Sequence, residues 1–123
     1  MRKAQSQRGR RSFTARLSIR IDLPNGRFGP GKAALLRAIA EAGSISGAAR
    51  ALGMSYARAW SLTEDMNACF GVRLVDTFSG GHRRGGANLT EFGVRVLALY
   101  DKIVDKAARA SARDLVAILS MGK

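Results

Sequence analysis

The stretch Gly43–Met66, GSISGAARALGMSYARAWSLTEDM, constrains this chain more than any other. Gly43-Ser44 closes one helix and offers Ser44 as the N-cap of the next. Ala48 and Ala49 are small enough for that helix to pack closely. Gly53 supplies the turn, because glycine enters the left-handed region at little cost, and Ser55 caps a further helix. Two helices so short and so tightly joined have the layout of a helix-turn-helix, in which the second helix enters a DNA major groove.

The flanking segments complete the outline. Phe13–Leu23 alternates: Phe13, Ala15, Leu17, Ile19, Ile21 and Leu23 share one face, with polar residues between them. Period two over that length predicts a half-buried strand, ended by the turn residues Pro24-Asn25-Gly26. Its partner is either a later hairpin or a second subunit. Gly31–Ala42 reads as the first helix, with Ala34, Leu35, Ala38, Ile39 and Ala42 as its apolar stripe. Ile45–Leu52 and Ser55–Phe70 are the second and third, the last turning Ala59, Leu62, Thr63, Met66 and Phe70 to the core. Val72–Thr77 and Ala87–Leu89 read as two strands around a glycine-rich basic tip, a wing. Thr90 caps a final helix running from Glu91 to about Leu119, roughly 40 Å at 1.5 Å per residue. Phe92, Val96, Leu99, Ile103 and Ala107 form a stripe along it that a partner helix would cover, which predicts a homodimer. The expected fold is mainly α with a small β component: a winged helix-turn-helix with an N-terminal strand and a long C-terminal dimerisation helix. Residues 12–123 form that domain, preceded by a disordered basic arm over 1–11.

Charge narrows the partner. The 123 residues carry a formal net charge of +12, an excess that suits a polyanion, and double-stranded DNA is the common one. The arm, with Arg2, Lys3, Arg8, Arg10 and Arg11, reads either as a follower of DNA phosphates or as a solvated tail. A single cysteine, Cys69, rules out an intrachain disulfide and suits a reducing cytoplasm. No apolar run reaches the length of a membrane span, so no membrane partner is expected and the location is cytoplasmic, on the nucleoid. One histidine with no ligand cluster around it speaks against a metal site. Gly29-Pro30-Gly31-Lys32 lacks the spacing of a phosphate-binding Walker loop, and Glu64 and Asp65, adjacent on a helix, point apart. No catalytic constellation is visible, so the chain reads as a non-enzyme.

A recognition helix presents its N-terminal side chains to base edges. Here those are Ser55, Tyr56, Ala57, Arg58, Trp60 and Ser61. The Arg58 fork matches guanine N7 and O6; a phosphate contact is its plainer role. Tyr56 and Trp60, four apart, share a face, where they contact DNA or, for Trp60, pack against the wing or the first helix. Ser44 and Ser46 begin the second helix, whose free N–H groups suit a phosphate, and Ser44 is also explained as a cap. His82, Arg83 and Arg84, between glycine pairs, suit phosphate contact or a narrow minor groove.

These residues resemble a known family. GSISGAARALGMSYARAW is similar to the helix-turn-helix of LysR-type regulators, and more closely to the N-terminal domain of ModE-type molybdate-responsive regulators. Two features carry the closer likeness: the Ser-Tyr-x-x-Ala-Trp of Ser55–Trp60, and the glycine-rich wing ending in Ala87-Asn88-Leu89-Thr90. The likeness covers roughly Phe13 to Ala108. It implies a dimeric winged-helix regulator on a palindromic operator, read by Ser55, Tyr56, Arg58 and Trp60 of the third helix and by His82, Arg83 and Arg84 of the wing. Full-length ModE-type proteins also carry C-terminal β-barrels that bind molybdate, and this sequence stops just after the long helix. No cofactor is therefore expected, and control of molybdenum- or metal-linked genes would be constitutive or through a separate sensor protein. Ser111-Ala112-Arg113 resembles a piece of the oxyanion-binding motif and is read as coincidence. Two other classes compete: a nucleoid-type architectural protein with little sequence preference, driven by arm and wing, and an interaction module.

Overall fold

A strand needs a ladder of backbone partners, and that requirement shortens the N-terminal strand. In the structure, a computed structural model, residues 15–80 and 83–122 are described, with their side chains except at 79, 80, 83 and 84. Strand β1 covers only Ile21–Leu23. Its antiparallel partner is β2, Gly26–Phe28, in the register Ile21↔Phe28, Asp22↔Arg27, Leu23↔Gly26. Pro24-Asn25 is thus the tip of a local hairpin, and the regular part of the strand expected over Phe13–Leu23 pairs with β2, in a sheet separate from the wing. The alternation itself is real: Ala15, Leu17, Ile19, Ile21 and Leu23 are half-buried, and the residues between them are exposed. Phe13, Thr14 and the arm over 1–11 lie outside the described residues.

The described chain divides into two units, Ile19–Asp101 and the segments that flank it. In the first unit, helix α1 spans Pro30–Ala42 with proline in its first turn, where no N–H is missed. It buries Ala33, Leu35, Leu36, Ala38 and Ile39; Ala42, expected on that stripe, is exposed. Helix α2, Ile45–Leu52, and helix α3, Tyr56–Phe70, follow as expected. The core gathers Leu35, Leu36, Ile39, Met66, Leu74 and Val75 around Phe28. The Phe28 ring meets Phe70 and Tyr100 edge-on, at centroid distances of 5.8 and 5.2 Å, the arrangement that aromatic quadrupoles favour.

The wing is strand β3, Val75–Gly80, paired antiparallel with β4, Arg83–Leu89, with an irregularity between Phe78 and Gly80. It begins three residues later than expected and runs further toward its tip. The delay has a cause in Asn67. Its buried side chain accepts from the amides of Leu74 (2.7 Å) and Val75 (3.2 Å) and donates to the Val75 carbonyl (3.3 Å). That bracket holds the chain through the turn before the ladder starts.

Helix α4, Glu91–Ala110, opens as the sequence suggested: the Thr90 hydroxyl accepts from the Gly93 amide at 3.0 Å and donates to the Arg73 carbonyl at 2.8 Å. A Cβ on Gly93 would overlap the Leu74 carbonyl oxygen, so only glycine lets α4 start this close to β3. Tyr100 is buried and donates its hydroxyl to the Ile19 carbonyl at 2.6 Å.

The single helix expected from Glu91 to about Leu119 is two helices. It breaks at Ser111, which sits at φ −105°, ψ 7°, and α5 follows from Ala112 to Met121. The Ser111 hydroxyl donates to the Ala107 carbonyl at 2.7 Å, the back-bonding by which serine bends a helix. The 20 residues of α4 reach about 30 Å rather than about 40 Å. No residue of α5 is buried.

Candidate nucleic-acid interface

The helix-turn-helix is held by its caps. The Ser44 hydroxyl accepts from the Gly47 amide at 2.9 Å and fixes the start of α2. Gly53 lies in the left-handed region at φ 68°, ψ 32°, and the Met54 amide returns to the Ala49 carbonyl at 3.0 Å, the Schellman closure that requires such a residue. The Ser55 hydroxyl accepts from the Arg58 amide at 3.1 Å. The Ser55 side chain is therefore a cap first, and only its free lone pair and its proton remain for a partner. Ala59, Thr63, Met66 and Asn67 bury one face of α3. The hydroxyl of Thr63 is satisfied by the Ala59 carbonyl at 2.8 Å, so this face carries no unmet polar group.

Ala57, Arg58 and Ser61 form the outward face of α3, all exposed. Among the described residues, Arg58 makes no ion pair, and neither does the exposed Arg50 of α2. By contrast, Arg37 is engaged by Asp101 through two contacts of 3.0 and 3.1 Å, a hydrogen-bonded pairing that raises the Arg37 pKa above its ordinary value. Both partners are half-exposed, so the pair adds little stability.

Tyr56 and Trp60 take the flank of α3 away from Arg58, since two positions turn a helix by about 200°. They are 54% and 45% exposed and wall one side of an open cleft of about 280 Å³. Its floor is Ser44, Ile45 and Ser46, at the start of α2. Its far wall is the wing, through Thr77, Phe78, Gly85 and Gly86. The structure thus brings four expected residues together, Ser44, Ser46, Tyr56 and Trp60, and sets Arg58 and Ser61 on the neighbouring surface. Trp60 shares a cleft with the wing, and it does so half-exposed.

Of the wing residues, His82 lies outside the described residues, and Arg83 and Arg84 enter only as the first backbone positions of β4. Sequence reasoning missed Thr77 and Phe78. Phe78 pairs with Gly86 across the ladder, and a Cβ on Gly86 would come within 2.7 Å of the Phe78 ring. An exposed aromatic opposite a glycine was the available signal: the ring lies over the space that a missing side chain leaves. The wing is anchored at its root by the Ala87 amide, which donates to the Gly43 carbonyl at 2.9 Å.

Comparison with known proteins agrees with this geometry. The family model described as bacterial regulatory helix-turn-helix protein, lysR family, matches residues 32–94, from the first helix to the start of α4. The chain is 44% identical over 72 residues to the transcriptional regulator ModE of Yersinia pestis, covering 58% of this chain and 27% of that protein. It is 40% identical over 83 residues to the molybdenum-pterin-binding protein MopB of Rhodobacter capsulatus, covering 68% and 31%. It therefore spans less than a third of the length of these curated relatives. Among solved structures, the CbnR_DBD–DNA complex superposes with a TM-score of 0.56 at 28% identity, covering 72% of this chain and 95% of that one. The capped helix pair, the glycine turn and the wing are thus those of a shared fold, and the chain belongs to the lysR family of bacterial regulatory helix-turn-helix proteins.

Proposed function

We propose that the chain acts as a sequence-specific DNA-binding transcription regulator, as a homodimer on inverted half-sites. The observation that carries this reading is the outward face of α3, capped at both ends of its turn and exposed at Ala57, Arg58 and Ser61. The small side chains let the helix approach base edges, and the Arg58 fork suits guanine. Arg50 and the basic arm supply phosphate contacts, and the wing arginines Arg83 and Arg84 work beside them with His82. Support for dimerisation comes from α5, which exposes Val116 and Ile118 (63% each), Leu119 (41%) and Met121 (82%); a second copy would cover them. A regulator of this family meets its DNA in the cytoplasm. Among the described residues no helix is long and apolar enough to cross a membrane.

The test is selection of genomic fragments by the purified protein at physiological salt, with and without molybdate. One enriched palindrome is the expected result, and Arg58→Ala then lowers specific affinity by about 1–3 kcal/mol and relaxes preference at one base position. The names of the relatives make promoters of molybdenum-linked genes the first place to look for it. No enriched motif, with bulk binding that falls steeply with salt, would replace this reading by the architectural one. Stable pairing with a separate sensor and no DNA binding at low salt would replace it by the interaction module.

A further inference from the structure

The cleft beside the recognition helix has a chemistry unlike the rest of this basic chain. Among the described residues that line it none is charged, in a protein of net charge +12. Three of them are aromatic and about half-exposed: Tyr56, Trp60 and Phe78. The polar groups are hydroxyls, on Ser44, Ser46, Tyr56 and Thr77. A neutral site with aromatic walls and hydroxyl donors is poor for a bare phosphate. It suits a sugar, whose C–H faces lie on aromatic rings while its oxygens meet hydroxyls.

We propose that this cleft seats one deoxyribose of the operator backbone, held between Trp60 on α3 and Phe78 on the wing. The proposal rests on the DNA-binding reading above. Its occupant follows from continuity: Tyr56 and Trp60 belong to the N-terminal half of the helix that meets the groove, so a strand running beside that groove passes the cleft's open side. The seat fixes how deeply α3 sits and in which register, without reading a base. Phe78 is a positioning residue here, and Gly86 sets its place: with no side chain opposite, the ring lies across the ladder, and added bulk at Gly86 would displace it.

Trp60 is the only tryptophan in the chain and reports on the cleft directly. The experiment uses the full chain with the operator fragment that it selects. Saturating operator should change the Trp60 emission. Phe78→Ala should lower affinity about tenfold for the operator and for its single-base variants alike, leaving the slope of affinity against salt unchanged, because no charge is lost. Arg58→Ala should instead change the base preference. Gly86→Ala, with the overlap at the far end of a side chain, should fold with an unchanged circular dichroism spectrum and weaken binding as Phe78→Ala does. A scan of single 2′-O-methyl sugars along each strand should find one position that weakens the wild type and is neutral for Phe78→Ala. Unaltered Trp60 emission at saturation, a Phe78→Ala protein of full affinity, or a scan with no such position would each overturn the sugar seat. Each leaves the regulator reading standing, which fails only if the wild type selects no operator at all.

Discussion

Two consecutive helix pairs in this chain have opposite fates. The pair α2–α3 turns at Gly53 and buries Ile45, Ala48, Ala49, Ala59 and Met66 in its own unit. The pair α4–α5 turns at Ser111, and Val116, Ile118, Leu119 and Met121 of α5 stay in solvent. The first pair buries one apolar face within its own unit, with small residues that permit close approach. The second has large aliphatic residues in α5 that nothing among the described residues buries. Side-chain type alone is therefore a poor guide to burial in these two pairs: Ala48, Ala49 and Ala59 sit in the core, whereas Ile118 and Leu119 lie on the surface.

The contrast breaks most readily at Gly93. Gly93→Ala drives a Cβ into the Leu74 carbonyl, which is backbone and has no rotamer to yield; thermal or urea unfolding should show a loss of about 3 kcal/mol. Asn67→Ala leaves two buried amides without an acceptor and should cost about 2–3 kcal/mol by the same measurement. Ser44→Ala removes the α2 cap and should cost about 1 kcal/mol. Val116→Ser with Leu119→Ser should sharpen the comparison from the other side. Unfolding of the dilute monomer should move by less than about 0.5 kcal/mol, while sedimentation should show a weakened dimer; a large loss of monomer stability would mean that α5 is buried after all. The smallest effect is at Tyr100. Burial, and then the charge of Asp101, push its phenol above the usual value of 10.0. The folded state therefore holds that proton more tightly than the unfolded one, so stability is complete below pH 10 and declines as the solution becomes more alkaline. Tyr100→Phe should flatten that decline.

The sequence was most readable where structure is decided by neighbours along the chain. Ser44, Gly53, Ser55 and Thr90 cap or close their helices within three or four residues of themselves, and each has the capping role that its local pattern announces. The β1–β2 hairpin was hidden because its second strand is only Gly26–Phe28, too short to show alternation and masked by the turn residues before it. The break at Ser111 was hidden because serine is tolerated within helices, and only its bond to Ala107 distinguishes a bend from a continuation. The wing's true start depends on Asn67, eight residues before Val75 and on a different element, a contact that no periodicity encodes. Phe78 escaped for the same reason: its partner is Gly86, and cross-strand register is set by the turn and the irregularity between them. Of the candidate site, the helix residues were legible as a list. Their separation into an exposed face at Arg58 and a cleft at Tyr56 and Trp60 required the wing to be in place.

The hydrogen bond from Ala87 to the Gly43 carbonyl has a consequence for the DNA rather than for the protein. It couples the root of β4 to the turn just before α2, so the distance between helix and wing is a built-in gauge. A duplex that meets both must match that gauge in its groove width. Sequences that are cheap to deform to it would be preferred even at base pairs that no side chain reaches. Part of the selectivity of this molecule would then be written in the stiffness of its target.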